Sequence, residues 1–411
     1  MQYPNYTGSM SNDNILSKFL KKIESEAKQL IRKYDSVAYP IIKHPQNVFE
    51  VAAIVKGESW EKAYYAECYH HNKEQQLDVF SPEDLIFKVK NGIVFHGSDV
   101  MVADSGAYWG KYNDEEFVTY SIPLDNNVIW YDRDTIVLDR FKCIENVSGR
   151  VLPLIGHDAH HWVHSIYEFL PRLFSAGEAG LLETQMTVLI IENQDHTIVE
   201  IINNYLKQYP AVQIKKVKYG VAYKCEELFF QPVVGPSCSS YKFRLDYPWY
   251  IPSYIIEQAN KYIVEPLIER VKDNSSKYEK IFLGRSPMYT KNNRTLINYD
   301  EVHDFFSEKG FIDIEGATLS LEEKADIFYH AKKIVALHGS ATMNFLFCNQ
   351  ANCMVLGNYR FATDPVTYPF IRDKVSSYVY VTGQDDSSEY HSSYYIPLEK
   401  IKKVYEERVA G

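Results

Sequence analysis

The sequence predicts an α/β protein: two doubly wound units in series, facing a cleft, behind a β-rich N-terminal extension. Three observations predict it. Helical and strand patterns alternate from about residue 150 onward. A second alternating series restarts at "KIFLGR" (280–285). Before 145 the apolar runs are short, and Gly, Asn and Asp bound them, as in β-hairpins. The boundaries that follow are 1–145 for an amphipathic helix and hairpins, 146–265 for a first Rossmann-like unit, 266–395 for a second Rossmann-like unit, and 396–411 for a terminal helix.

In chain order, residues 13–34 place Leu16, Phe19, Leu20, Ile23, Ala27, Leu30 and Ile31 on one helical stripe, with lysines opposite. Such a helix packs on its own domain or lies on an anionic membrane. "GIVFHG", "VMVADSG", "NNVIWY" and "DTIVLDRF" read as hairpin strands. Asp132-Arg133-Asp134, among them, has the form of a short metal–nucleotide triplet, which is also common without that role. "MTVLIIE" (186–192) is a buried strand, followed by the helix "HTIVEIINNYLKQY" and the strands "VQIKKV" and "ELFFQP". In the second unit, the helix "YDEVHDFFSEKG" precedes the strand "FIDIE". Ser320 and Glu323 form an S-x-x-E capping box that opens the helix "LEEKADIFYHA". "KIVALHGSATMNFLF" (333–347) reads as strand, tight turn, helix; "CMVLGN" and "SYVYVTG" are later strands, and "LEKIKKVYEERV" closes as a helix.

Composition narrows the function classes. The chain has 411 residues, 45% of them hydrophobic, which suits packed cores and excludes wholesale disorder. A formal net charge of -10 argues against a broad nucleic-acid surface but leaves room for a local basic pocket. No apolar run approaches the roughly 20 residues that span a bilayer, and the first thirty lack a signal-like apolar core. The expected location is therefore cytoplasmic, or peripheral on the inner face of the membrane. The six cysteines show no CxxC spacing and are expected to be reduced thiols. The 33 tyrosines read first as packing residues.

Three stretches carry candidate chemistry. In 337–344, "LHGSATMN", a strand ends at His338; Gly339 permits a close turn, and Ser340 and Ala341 open a helix. Free backbone N–H groups and a partial positive charge there suit a diphosphate, with Thr342 and Asn344 close by; an ordinary turn with a serine cap reads equally well. In 284–302, Arg285, Lys291 and Arg294 follow a strand end, as phosphate ligands or as solvated surface charge. In 157–172, "HDAHHWVHSIYEFLPR", His157, His161, His164 and Glu168 have helical spacings of four, three and four and would share a face. His160 and Arg172 extend that polar set, and Pro171 predicts a kink or restart. Metal ligation by this face is one reading, although no HExxH occurs. Acid–base or ligand contact is another, and a core helix with polar decoration is a third.

"HHWVHSIYEFLPRLF", "NNRTLINYDEV" and "GATLSLEEKADIFYHAKKIVALHGSATMNFLF", in this order, resemble glycosyltransferase family 61. Bacterial members of that family are often labelled capsular polysaccharide biosynthesis proteins. The resemblance covers about 150–360. It departs from the family at Ser340, where alanine is usual, and at His160, where an aromatic is common. It implies an inverting, metal-independent transferase of GT-B architecture that uses a nucleotide-sugar donor, UDP-linked, and a glycan or lipid-linked acceptor, with no resident cofactor. In that frame Gly339 to Thr342 cradle the diphosphate, and Arg285 and Arg294 neutralise the leaving group. Glu168 is the base, with His161 its competitor; 146–265 is then the acceptor-side unit, with His157, His160, His164 and Arg172 as acceptor-side candidates, and 266–395 the nucleotide-sugar-binding unit. Rival readings are a metal-dependent hydrolase built on His157, His161 and His164, and a non-catalytic nucleotide-sugar or glycan-binding protein.

Overall fold

The computed structural model describes residues 36–69, 73–81, 83–109, 127–131, 134–232, 250–274, 277–284, 295–359, 366–383 and 392–410. The expected helix over 13–34, Asp132, and the cations Arg285, Lys291 and Arg294 lie outside the described residues. The architecture is mixed α/β with several sheets.

The C-terminal half is a five-stranded, wholly parallel sheet. Its spatial order is Ile312–Ile314, Lys280–Leu283, Lys333–Leu337, Ala351–Gly357, Val375–Thr382. Successive side chains of a strand point to opposite faces, and here both faces are buried. Ile281, Leu283, Ile334, Ala336, Cys353 and Val355 enter one core. Phe282, Val335, Leu337, Met354 and Leu356 enter the other, with Val302 and Phe306 of the helix Tyr299–Glu308 and Ile401 and Val404 of the helix Leu398–Arg408. Two-sided burial explains why these strands read as unbroken apolar runs. The strand order reverses between Lys280–Leu283 and Lys333–Leu337. In open α/β sheets the crevice at such a reversal, outside the carboxyl ends, is where ligands bind.

The N-terminal sheet has eight strands. Val212–Val217, Met186–Ile191, Ile144–Pro153 and Ala222–Phe230 run parallel. Asp84–Phe95 then pairs antiparallel with Ala222–Phe230, and Val100–Ala103, Gly106–Trp109 and Glu50–Lys56 extend it. The strand Ile144–Pro153 thus runs across the boundary expected at 145, and strands from both sides of that boundary share one sheet. The hairpins expected before 145 form largely as read, but most join this sheet because their inner faces complete its core: Phe87, Val89 and Val94 pack with Val151, Leu189 and Leu228. The remainder form a three-stranded sheet (Ser36–Pro40, Thr135–Asp139, Val128–Tyr131) and the ribbon Ser59–Tyr65 with Gln75–Ser81.

One apolar core joins the two halves. Leu152, Val188, Leu170 and Phe174 share it with Ile263, Leu267, Phe328, Phe345 and Ile334. The capping box forms as expected: Ser320 Oγ accepts from the Glu323 N–H at 3.2 Å, and Glu323 Oε2 accepts from the Ser320 N–H at 2.8 Å.

Candidate active site

The polar stretch 157–172 is not one helical face. His157 to His161 form a turn, and the helix starts at Trp162, with His161 at its N-cap position. Helical spacing therefore does not relate His157 to the others, because those residues never enter the helix. They converge on Asp158 instead. His157 Nε2 is 3.4 Å from Asp158 Oδ2, His161 Nε2 is 3.5 Å from Oδ1, and His164 Nε2 is 3.8 Å from Oδ2. Asp158 itself has φ 64°, a left-handed conformation that aspartate tolerates better than most residues. The turn is held from behind: the Ser165 hydroxyl and the Gln194 amide both donate to the Ala159 carbonyl, at 2.9 and 2.7 Å. It is also tightly packed, since a Cβ at Gly156 would stand 2.4 Å from Asp99 Oδ1 and 2.6 Å from the Phe169 ring.

The helix runs from Trp162 to Glu178, and its middle, Ser165–Phe169, is a π-turn in which the Leu170 N–H donates to the Ser165 carbonyl. The expected kink at Pro171 is thereby absorbed. Proline has no N–H and collides with the carbonyl four residues back, here that of Tyr167. The wider turn removes that conflict and lets the helix continue. Single π-turns of this kind recur at functional sites. This one carries Glu168, which is 1% exposed. Its Oε1 lies 3.2 Å from His164 Nδ1, and the Tyr167 hydroxyl is 3.0 Å from the same nitrogen. His164 keeps 18% of its side chain exposed, so it is the solvent-side end of the couple.

Arg172, grouped from the sequence with the acceptor-side residues, lies beneath the site, 2% exposed, with its guanidinium 4.9 Å from the centre of the Phe169 ring. Burial pulls its pKa below the ordinary value, while Asp99, Glu168, Asp84 and Tyr108 act in the opposite sense. Arginine stays charged in such a place, so Arg172 is the buried countercharge of three carboxylates. Asp99 and Asp84 come from the hairpin region. Two of the imidazoles, those of His160 and His161, have their pKa pulled below the ordinary value. Burial lowers the pKa of His160 against the opposing pull of Asp158. For His161 the causes are desolvation, partial because the side chain is 45% exposed, and then His160, His164 and His157, again opposed by Asp158.

The second stretch sits at the carboxyl edge of the C-terminal sheet. The strand Lys333–Leu337 ends at His338, and Gly339 is fully extended (φ 168°). Ser340–Phe347 is a 3-10 helix and not the α-helix expected. Its first turn is tight because the Thr342 N–H and the Thr342 hydroxyl both bond to the Gly339 carbonyl, at 2.9 and 2.8 Å. Thr342 is fully buried and occupied as a local cap, whereas Ser340 is exposed and Ala341 half-buried. Asn344 is 1% exposed, and its Oδ1 makes no hydrogen bond among the described residues. Its amide nitrogen fills the space above Gly316, where a Cβ would approach it to 3.2 Å. His338 packs its ring 5.5 Å from that of Tyr380.

These two stretches meet. Trp162–His164 and Ser340–Phe347 come within 8 Å of one another between Cα atoms. Lys324 reinforces the junction, with its ammonium 5.0 Å from the centre of the Trp162 ring and donating to Thr197 Oγ1 at 3.3 Å. The sequence signals missed Asp158, Asp99, Asp84 and Lys324. Asp158 was visible inside the histidine run but fell off the assumed helical face. The others approach from distant segments and carry no local signature.

Asp134 of the metal–nucleotide triplet pairs with Lys43 at 2.9 Å. Among the described residues, no helix is long and apolar enough to cross a membrane. No curated protein matches the chain. Residues 162–355 match the family model described as Glycosyltransferase 61, so the matched segment starts at Trp162, the first residue of the π-turn helix, and ends in the strand Ala351–Gly357. That match takes in residues 162–172 of the first stretch and all of 337–344, and it shows the chain to be similar to glycosyltransferase family 61 over these residues.

Proposed function

We propose that the protein is an inverting glycosyltransferase of GT-B type that moves a sugar from a nucleotide-sugar donor, UDP-linked, to a glycan or lipid-linked acceptor in surface polysaccharide synthesis. The observation that carries this reading is that the helix segment Trp162–His164, whose His164 couples to the buried Glu168, meets the 340–347 helix, which follows a strand at the reversal of strand order in the C-terminal sheet.

The donor diphosphate lies against the backbone N–H groups of Ser340 and Ala341, beyond Gly339 and beside His338. Arg285, Lys291 and Arg294 follow Gly284 at the end of the neighbouring strand and balance its charge. The acceptor hydroxyl attacks the anomeric carbon from the opposite face. Its oxygen forms the new bond, the bond from that carbon to the phosphate oxygen breaks, and the nucleoside diphosphate leaves with the electron pair. The hydroxyl proton passes to the His164–Glu168 couple, with Glu168 as the base and His164 as its exposed end. His161, His157 and His160 border the acceptor. No step calls on a metal ion, a resident cofactor or nucleic acid, and the reaction runs on the cytoplasmic side, in solution or peripheral to the membrane.

The test is a thermal-shift panel of nucleoside diphosphates and nucleotide sugars, with chelator present throughout. The donor nucleotide should raise the melting midpoint by mass action, and its sugar should then be transferred. A panel without any shift overturns the donor site; transfer that stops in chelator and returns with a divalent ion overturns the metal-free chemistry.

A further inference from the structure

We infer that Asp158, His160 and His161 form a binding site for one divalent transition-metal ion of the zinc class, at the acceptor-side mouth of the candidate active site. One ligand atom from each of the three residues lies within 4.8 Å of the other two. Zinc sits about 2.0–2.2 Å from imidazole nitrogen and carboxylate oxygen, so neighbouring ligand atoms of a tetrahedral site are roughly 3.3–3.6 Å apart. The 3.5 Å between His161 Nε2 and Asp158 Oδ1 already has that length. It exceeds the roughly 2.7–3.2 Å of an N–H···O bond. The His160 and His161 rings lie 3.8 Å apart at 39°, so a modest rotation of the exposed His160 brings its nitrogen to the same point.

Two further observations point the same way. Asp158 holds a left-handed backbone (φ 64°), a conformation that recurs at functional sites, with its carboxylate among the imidazoles. Further imidazole nitrogens stand close by: His157 Nε2 is 3.4 Å and His164 Nε2 3.8 Å from Asp158 Oδ2, and His164 is the one backed by a carboxylate. Its Nδ1 lies 3.2 Å from Glu168 Oε1, the carboxylate-behind-imidazole arrangement that orients metal-bound histidines. Two imidazoles and one carboxylate select zinc, cobalt, nickel or copper over magnesium and calcium, which prefer all-oxygen sets. Exposure of both imidazoles leaves open positions for water. An ion here occupies His161 and crowds His164, so it inhibits transfer; this consequence alone rests on the transferase reading.

The experiment is calorimetric titration of the chelator-treated full-length protein with ZnCl2, with MgCl2 as the hard-cation control. A parallel CoCl2 titration is followed by its visible d–d absorption. One zinc per chain is expected, no saturable magnesium heat, and affinity reduced at least about 10-fold in His160→Gln and in Asp158→Asn. His160→Gln is an exposed change that keeps the side chain's length, and circular dichroism checks that each variant is folded. Undiminished affinity in both variants, or no zinc heat and no cobalt spectrum in the parent protein, overturns the site. Binding is read without turnover. A chain that binds zinc but transfers no sugar loses the transferase reading and keeps the site, and one that transfers sugar but ignores zinc loses the site alone.

Discussion

The two sheets bring opposite materials to the place where they meet. The N-terminal half presents ionisable side chains locked from behind: Glu168 and Arg172 are 1% and 2% exposed, with Asp99 packed against the turn that precedes them. The described turn at the C-terminal edge presents small residues. Gly339, Ser340 and Ala341 open its edge, and Thr342 is turned inward onto the Gly339 carbonyl. A proton transfer needs a group whose position and charge are set in advance, and burial among countercharges sets both. A diphosphate needs close approach to backbone N–H groups, which small residues permit. In the proposed reaction the first half supplies the base and the second binds the donor.

The largest effect should come from the countercharge. Arg172→Met leaves Glu168, Asp99 and Asp84 without their shared cation and should cost about 3–5 kcal/mol of stability by urea unfolding. A loss under about 1 kcal/mol would show that burial does not fix charge in this half, and the contrast would fail at its first step.

Glu168→Gln comes next. Turnover should fall about 100-fold, or roughly 2.7 kcal/mol of barrier, with nucleoside-diphosphate affinity nearly intact by calorimetry. Near-normal turnover in this variant, with His161→Gln inactive, would move the base to His161. Activity retained in both would reduce the helix to a structural element.

Arg294→Ala probes the other half. It should weaken nucleotide binding by about 1.5–3 kcal/mol if the residue bonds to phosphate. Unchanged calorimetric affinity removes Arg294 from the donor site. Smaller still, Ser320→Ala removes the cap of the helix Leu321–His330 and should cost about 1 kcal/mol of stability. Because the Ser320 hydroxyl bonds to Glu323 of its own capping box, nucleotide affinity should stay put, and a matching drop in affinity would blur the division proposed above.

The smallest effect is a pH dependence confined to the C-terminal half. His303 Nε2 lies 2.6 Å from Asp313 Oδ2, and that bond raises the imidazole's pKa above its ordinary 6.5. A group whose pKa is raised on folding stabilises fully below its unfolded value and loses that contribution as pH climbs through the folded one. The melting-point gap between parent and Asp313→Asn should therefore be widest near pH 6 and close on the alkaline side. A gap that is flat with pH would show that the pair does not titrate in this range.

Elements governed by neighbours in the chain were legible in the sequence. Two-sided apolar runs such as 333–337 and 353–358 became central parallel strands, because continuous burial needs no information beyond the run itself. Ser320 and Glu323 declared a helix start, because a capping box is closed within four residues. The stretches 157–172 and 337–344 announced themselves by composition, and both lie at the candidate site. Tertiary structure alone decided what those stretches became. Histidine spacing implied a helical face, but Gln194 and Ser165 hold residues 157–161 in a turn that aims the imidazoles at Asp158. Pro171 implied a break, but packing on both sides kept the helix and widened it into a π-turn around Glu168. Arg172 reads as one more member of the polar set until Asp99 and Asp84 arrive from the hairpin region some 70 to 90 residues earlier in the chain. Coulombic and packing terms act through space, so residues far apart in the chain set the charge and direction of these groups.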